Sequence, residues 1–510
     1  MVDMTHSLFK NGSVLMTNID PKNCTNSGLD LLLVQSGETG QGVQARLEHG
    51  LRSAIRSGRL AAGSKLPPTR ALAADLGLSR GTVVKAYAQL SAEGWISARQ
   101  GSGTCVSFSP ERGRATERPP ARAVPDWCFD LRPGRPELGS FPRTGWLRAM
   151  RKALATMPDA AFDYGDSAGQ LSLREELAAY LARARGLRVS ATDIIVTTGF
   201  TQSLSLIAHA LAAAGVRKVA MEDPGLALHR RVVQTAGHQI MPLAVDQDGV
   251  RAECLEVCAG AGAVVLTPNR QHPTGAVLSP ARRAEVLRWA DAKGAYVIED
   301  DYDGEFRYDR RPLAPLQALD PQAVIYAGTV SKTLAPGLRL GWLVVPGRVR
   351  ARLSAQKALF DWHTSSLEQY AFAEFLRSGA YDRHIRQMRV RYQQRRDTLV
   401  KALSAADPEI VISGVAAGLS LLVRLPDRAA EVRMLAAGRR AGIALAGMIT
   451  GDYCQAEPNA GLIIGYAAAP EHLYGSAVSA LAGLVTASRQ PSGSGSPGAQ
   501  MLSPGRVQIT

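Results

Sequence analysis

The spacing of apolar residues divides the chain into unlike stretches. Over residues 42–57, Val43, Leu47, Leu51 and Ile55 recur every fourth position, which predicts a helix with one buried face. The segment "GRLAAGSKLPP" then breaks it with Gly and Pro. Thr69 is placed to cap a helix from Arg70 to Leu76 that stops at Gly77, and Ser79 to cap "RGTVVKAYAQLSAEG". After Gly94, "WISARQGSGTCVSF" predicts two short strands joined by a Gly-rich tip. The order is helix, helix, helix, hairpin. Further on, the pattern changes to short apolar runs, "DIIVTTG", "KVAMED", "AVVLTP", "AYVIEDD" and "AVIYAGTVS", which alternate with helical stretches. Such alternation predicts an α/β fold, a parallel or mixed sheet covered by helices. From about residue 349 long helical patterns take over, and a smaller α+β segment follows to about residue 487.

Between the two patterned regions lies "SPERGRATERPPARAVPDW", rich in Pro, Arg and Glu and nearly without apolar residues, which predicts a semi-extended linker. The polar residues 1–40 and the Ser/Gly/Pro-rich end "SRQPSGSGSPGAQMLSPGRVQIT" predict disorder. The expected organisation is therefore an extension over 1–40, a small domain over 41–108, a linker over 109–128, a large domain over 129–487 and a tail over 488–510.

Charge sharpens this picture. The net charge is +14. Residues 41–107 hold nine Lys or Arg against three acids, an excess of six. That concentration is the footprint of a polyanionic partner such as DNA. The six cysteines show no metal-ligand spacing, so no metal is expected; read as small core residues, they fit a reducing cytoplasm. No run of 18 or more apolar residues predicts a membrane span.

The two short helices with a turn between them form a helix-turn-helix pattern, in which the first residues of the second helix face base edges. These are Ser79, Arg80, Gly81 and Thr82, with Arg80 able to reach guanine by two hydrogen bonds. At the hairpin tip, Arg99 sits beside small residues that let backbone amides approach phosphates. By periodicity alone the segment also fits an unrelated small helical domain with a basic surface. In the large region, "GTVSKTLAPGLRLGW" places Lys332 after a predicted strand, flanked by the hydroxyls of Thr329 and Ser331, with Arg339 seven residues on. "VIEDDYDGEF" ends a buried strand in a burst of acid, where α/β folds bind ligands. "TTGFTQSLSLIAHAL" is a strand, a small-residue turn and a helix start, a geometry suited to phosphate.

The stretch "LPPTRALAADLGLSRGTVVKAYAQLSAEGWISARQGSGTCV" closely resembles the winged helix of the GntR family of bacterial regulators. That resemblance implies DNA contacts by Arg70, Arg80, Thr82 and Gly101, alongside Ser79 and Arg99. Over about 129–487, the series "YGDSAGQLSLREELAAYL", "TTGFTQ", "EDPG", "HPTG", "EDDYD" and "SKTLAPGLRLGW" resembles the fold-type I aminotransferases, which use pyridoxal phosphate (PLP). It implies Lys332 as the lysine that bonds the cofactor aldehyde, Asp300 as partner of the pyridine nitrogen and Tyr302 as donor to the ring hydroxyl. It also puts Phe200, Thr201, Thr329 and Arg339 in the phosphate cradle. Both halves in one chain resemble the MocR (GabR-type) regulators. The resemblance implies a homodimeric, cytoplasmic transcription regulator that responds to PLP or to an amino acid or other amine reacting with it. The alternative is a working aminotransferase with a tethered DNA-binding module.

Several positions depart from that family. Leu226 stands where relatives commonly have Tyr, and Arg270 and His272 replace the residues usual beside the ring. Ser420 stands where a His is frequent. In "AGLIIGYAA", Ile463 and Ile464 occupy the place where amino-acid-using members carry an Arg that clamps the substrate carboxylate. This last departure speaks against efficient transamination.

Overall fold

A computed structural model describes residues 42–99, 103–108, 127–308, 313–454 and 460–489, and the chain divides into two compact units at 124/125. In the first unit, helix Val43–Arg56 buries Leu47, Leu51, Ala54 and Ile55, while Val43, the first residue of the apolar series, is exposed. The second helix is Thr69–Asp75, with Thr69 inside its first turn and Pro68 at the cap position, so Thr69 is not the predicted cap. The third, Arg80–Ala92, is capped as predicted: Ser79 Oγ accepts from the Thr82 N–H at 3.1 Å. Val83, Ala86, Tyr87 and Leu90 of this helix pack with Leu51, Ile55 and Leu72 in one small core.

The wing has one strand more than the sequence pattern showed. Lys65–Leu66 pairs antiparallel with Gly103–Val106, which pairs antiparallel with Ile96–Arg99. Two residues are too few to display a period, so this strand is legible only from its partner. Arg52 ties the first helix to the end of the third through two hydrogen bonds to Glu93, at 2.8 and 2.7 Å.

The second unit is built on an eight-stranded sheet. Strands Ile194–Thr197, Val324–Thr329, Tyr296–Asp300, Ala261–Leu266, Lys218–Asp223 and Gln239–Asp246 all run one way. Gly341–Val344 is inserted antiparallel between the first two, and Gly249–Val250 closes the far edge. Alternate residues serve opposite faces. Val264, Val297 and Val324 pack with Val286 and Trp289 of helix Pro280–Lys293, while Val265, Ile298 and Ile325 pack with Leu204, Ile207 and Leu211 of helix Phe200–Ala213. Burial on both faces explains why these strands read as continuous apolar runs. A smaller four-stranded antiparallel sheet, with Ser420–Arg424 and Gly461–Gly465 at its centre, stands beside helices Ala380–Ala406 and Glu471–Arg489. Among the cysteines, Cys258 is buried but Cys128 is exposed, so not all behave as core residues.

The inserted strand meets its neighbours at unusually small distances. A Cβ on Gly341 would lie 2.8 Å from Gly199 Cα and 2.9 Å from the Gly328 carbonyl oxygen, both backbone atoms that cannot rotate away. Gly341→Ala is therefore expected to destabilise the large unit by about 1–3 kcal/mol, as forced overpacking does. Gly337→Ala, four residues earlier with open space around it, is expected to shift stability by less than about 0.5 kcal/mol. Thermal or denaturant unfolding of the two variants side by side checks this.

Candidate functional site

The C-terminal ends of five parallel strands open into one cavity of about 340 Å³. This is where ligands sit in sheets of this kind. Lys332, Asp300, Tyr302, Phe200, Thr201, Thr329 and Arg339, from three separate sequence segments, all line it. The structure brings this predicted set together.

Lys332 follows strand Val324–Thr329 and its Nζ donates to the Gly134 carbonyl. Burial pushes its pKa below the usual lysine value, against the pull of Asp300 and Asp303. Thr329 Oγ1 lies 2.9 Å from Ser331 Oγ, so the two hydroxyls flanking the lysine are linked. Arg339 adopts a left-handed backbone conformation (φ 50°). Its guanidinium lies against Gly199, where an added Cβ would stand 3.5 Å from Nη1. Gly199 (φ 111°) immediately precedes helix Phe200–Ala213, so a cation sits beside a helix N-terminus whose first residues are Phe200 and Thr201. A cation and free helix amides at one point form a phosphate site.

Adjacent acids at the end of strand Tyr296–Asp300 have different surroundings. Asp301 is fully engaged: Arg185 pairs with it, Asn269 Nδ2 donates at 3.0 Å and the Tyr326 hydroxyl at 2.7 Å. Asp300 lines the cavity, is buried, and its Oδ1 has no hydrogen-bond partner. Burial, then the charge of Asp301, pushes its pKa well above the usual carboxylate range. A buried carboxylate without a partner is costly unless a ligand supplies the donor.

Tyr302 accepts from Arg270 Nη1 at 2.9 Å. Arg270 also pairs with Asp303 Oδ2 at 3.2 Å and donates to the Ser420 carbonyl. Position 270 thus holds a guanidinium already matched by an acid. His272 lines the cavity with its ring 6.0 Å from Tyr302 and 5.5 Å from Tyr453, and burial lowers its pKa to about 3, which keeps it neutral. His229, at 4.8 Å from the Phe200 ring, is lowered to about 4 by burial and by the charges of Lys332 and Arg230. Leu226 and Ser420 also face the cavity. Asp303, His229, Glu222 and Ser331 join the predicted residues in the cavity lining. Their sequence signals are slight: Asp303 belongs to the acid burst, Ser331 flanks Lys332 and Glu222 opens "EDPG", while His229 has none.

A half-buried amine, a carboxylate awaiting a donor and a guanidinium beside a helix N-terminus are the set that PLP requires of a protein. These residues therefore fit that cofactor.

In the smaller unit, Arg80 is exposed at the first position of helix Arg80–Ala92, and Arg70 is exposed in the first turn of Thr69–Asp75. Ser79 and Thr82 share a hydroxyl contact of 2.9 Å, so both hydroxyls serve the helix cap. Arg99 ends strand Ile96–Arg99, and Gly101 lies outside the described residues. Among the described residues no helix is long and apolar enough to cross a membrane. No group of three metal-ligating side chains is found among them either.

Glu222, half-buried in the cavity wall, has its pKa raised from 4.5 to about 7 by desolvation, although Thr267 donates to it through both N–H and hydroxyl. The unfolded carboxyl ionises near 4.5 while the folded one stays protonated to about 7. The folded state therefore binds the extra proton between those values, and this group's contribution falls as pH rises through that window. Relative to wild type, Glu222→Gln should gain stability from pH 4.5 to 7 and then hold a constant advantage, on the order of 3 kcal/mol. Unfolding free energies of the two proteins across that range check the sign.

Comparison with known proteins agrees with this geometry. The family described as aminotransferase class I and II matches residues 135–439, and the family of bacterial regulatory proteins, gntR family, matches residues 43–106. The chain is 34% identical over 364 residues to the HTH-type pyridoxine biosynthesis transcriptional regulator PdxR of Corynebacterium glutamicum, covering 71% of this chain and 79% of that protein. It is 30% identical over 458 residues to the probable rhizopine catabolism regulatory protein MocR of Rhizobium meliloti, covering 86% and 92%. Among solved structures, an archaeal alanine:glyoxylate aminotransferase superposes with a TM-score of 0.65 at 26% identity, over 70% of this chain and 91% of that one. With a DNA-binding winged helix and a PLP-binding aminotransferase fold in one chain, this protein belongs to the MocR branch of the GntR family of transcription regulators.

Proposed function

We propose that this regulator reads the state of a PLP molecule held at Lys332 and adjusts its grip on a promoter accordingly. The observation that carries the reading is the unpartnered Asp300 carboxylate lining the same cavity as the half-buried Lys332 amine. When bound, PLP supplies an aldehyde reactive toward primary amines and an electron-withdrawing ring. Lys332, held below its ordinary pKa by burial, presents an amine that deprotonates readily. Asp300 would accept from the pyridine nitrogen, and Tyr302, steadied by Arg270, would serve the ring hydroxyl. Arg339, Thr329, Thr201 and the Phe200 amide would hold the phosphate.

On the DNA side, Arg80 reads a base in the major groove and Arg70 contacts the backbone, with Ser79, Thr82, Arg99 and Gly101 completing the interface. The effector is PLP itself or an amine that reacts with it. We also propose a cytoplasmic homodimer. A helix-turn-helix that reads two half-sites calls for one, and the exposed rings of Tyr164 and Trp362, packed on each other at 5.5 Å, support it. Working transamination is the weaker reading, because among the described residues the substrate side of the cavity offers no guanidinium free of protein partners.

Two experiments test the proposal. Borohydride treatment of the PLP-loaded chain, followed by peptide mapping, should fix the cofactor on Lys332. Lys332→Ala should lose that adduct and keep its basal affinity for promoter DNA, and an adduct on another lysine would refute the assignment. In a binding assay, Arg80→Ala should lose about 1–3 kcal/mol of specific DNA affinity and load PLP normally. Unchanged operator binding would remove Arg80 from the recognition surface.

A further inference from the structure

We infer that the cavity recognises a primary amine with an apolar chain and no carboxylate. This rests on the PLP reading above and narrows the effector class. A carboxylate buried beside the cofactor needs a cation or several donors of its own. Among the described residues, the cations that line the cavity are Lys332, Arg339, Arg230 and Arg270. Lys332 belongs to the cofactor, and Arg339 lies at the helix N-terminus by Gly199.

The other two are spent. Arg230 gives Nη1 to the carbonyls of Gly225 (2.8 Å) and Tyr453 (3.0 Å), and Nη2 to that of Asp452. Arg270 is divided among Tyr302, Asp303 and the Ser420 carbonyl. Its Nε has no partner but is pressed against Gly418, where a Cβ would stand 2.6 Å away. Both histidines are neutral, as described above. Asp300, Asp303 and Glu222 meanwhile add carboxyl groups to the same wall.

The remaining wall is apolar. Leu226 and Tyr453 line the cavity and pack against Leu422, Met448 and the fully buried Ile463. An aliphatic or aromatic chain gains burial there, whereas a carboxylate meets hydroxyls such as those of Tyr453 and Ser420 but, among the described residues, no guanidinium free of protein partners.

The test uses the full chain loaded with PLP and two probes with the same side chain, 3-methylbutylamine and leucine. Calorimetric Kd values, with the cofactor absorbance as a second readout, should favour the amine by about ten-fold or more, the scale expected for one unmatched polar group. Asp303→Asn, which releases Arg270 from its acid, should narrow that ratio by tightening leucine. The wild-type comparison decides the matter even if this variant folds poorly. Leucine binding as tightly as the amine, or neither probe binding, would overturn the inference while PLP remains fixed on Lys332. Failure of PLP to load would bring down the cofactor reading and this inference with it.

Discussion

Two carboxylates in sequence at the end of a buried strand cannot share one environment, and the site depends on how that conflict is resolved. Asp301 takes Arg185, Asn269 and Tyr326. Nearly every acceptor position it has is filled, and its charge is matched. Asp300 faces the other way with no donor of its own and with the charge of Asp301 behind it. The protein thus holds one acid satisfied and one acid in want of a proton donor, in a cavity that also contains a lysine. A ring nitrogen that keeps its proton relieves that want. Folding alone leaves Asp300 unsatisfied, so its retention there is evidence for a ligand rather than for stability.

Much of this was legible before any coordinates. Regular elements of the winged helix follow from apolar spacing and caps, and the parallel sheet follows from its apolar runs. The choice between Asp300 and Asp301 was different in kind. The two are chemically identical in sequence, and only resemblance favoured the first; the structure separates them through Arg185, which lies 116 positions away. Strand Lys65–Leu66 escaped notice because two residues carry no period. Arg270 was visible as an unusual residue, but its neutralisation by Asp303 and the Ser420 carbonyl was not. Local spacing reports which elements form; an ion pair across 33 positions and a hydrogen bond across 150 are set by tertiary packing.

Catalyst and sensor ask different things of the same cavity. A transaminase must hold its substrate so that the bond to be broken is aligned, and a clamped carboxylate provides that second point of attachment. A sensor needs only a ligand with unequal affinity for two states of the protein. The features present here fit a cofactor: Lys332, Asp300, Tyr302 and Arg339 line one cavity, with the Arg339 guanidinium against Gly199. The second attachment point is apolar, with Ile463 sealed behind Leu226 and Tyr453, and the nearby guanidiniums are bound to the protein itself. An amine bound at one end only is free to rotate about that attachment, which disfavours turnover but still alters the charge and packing around Lys332. That asymmetry agrees with the winged helix on the same chain, because a regulator needs only that a ligand shift the balance between two states.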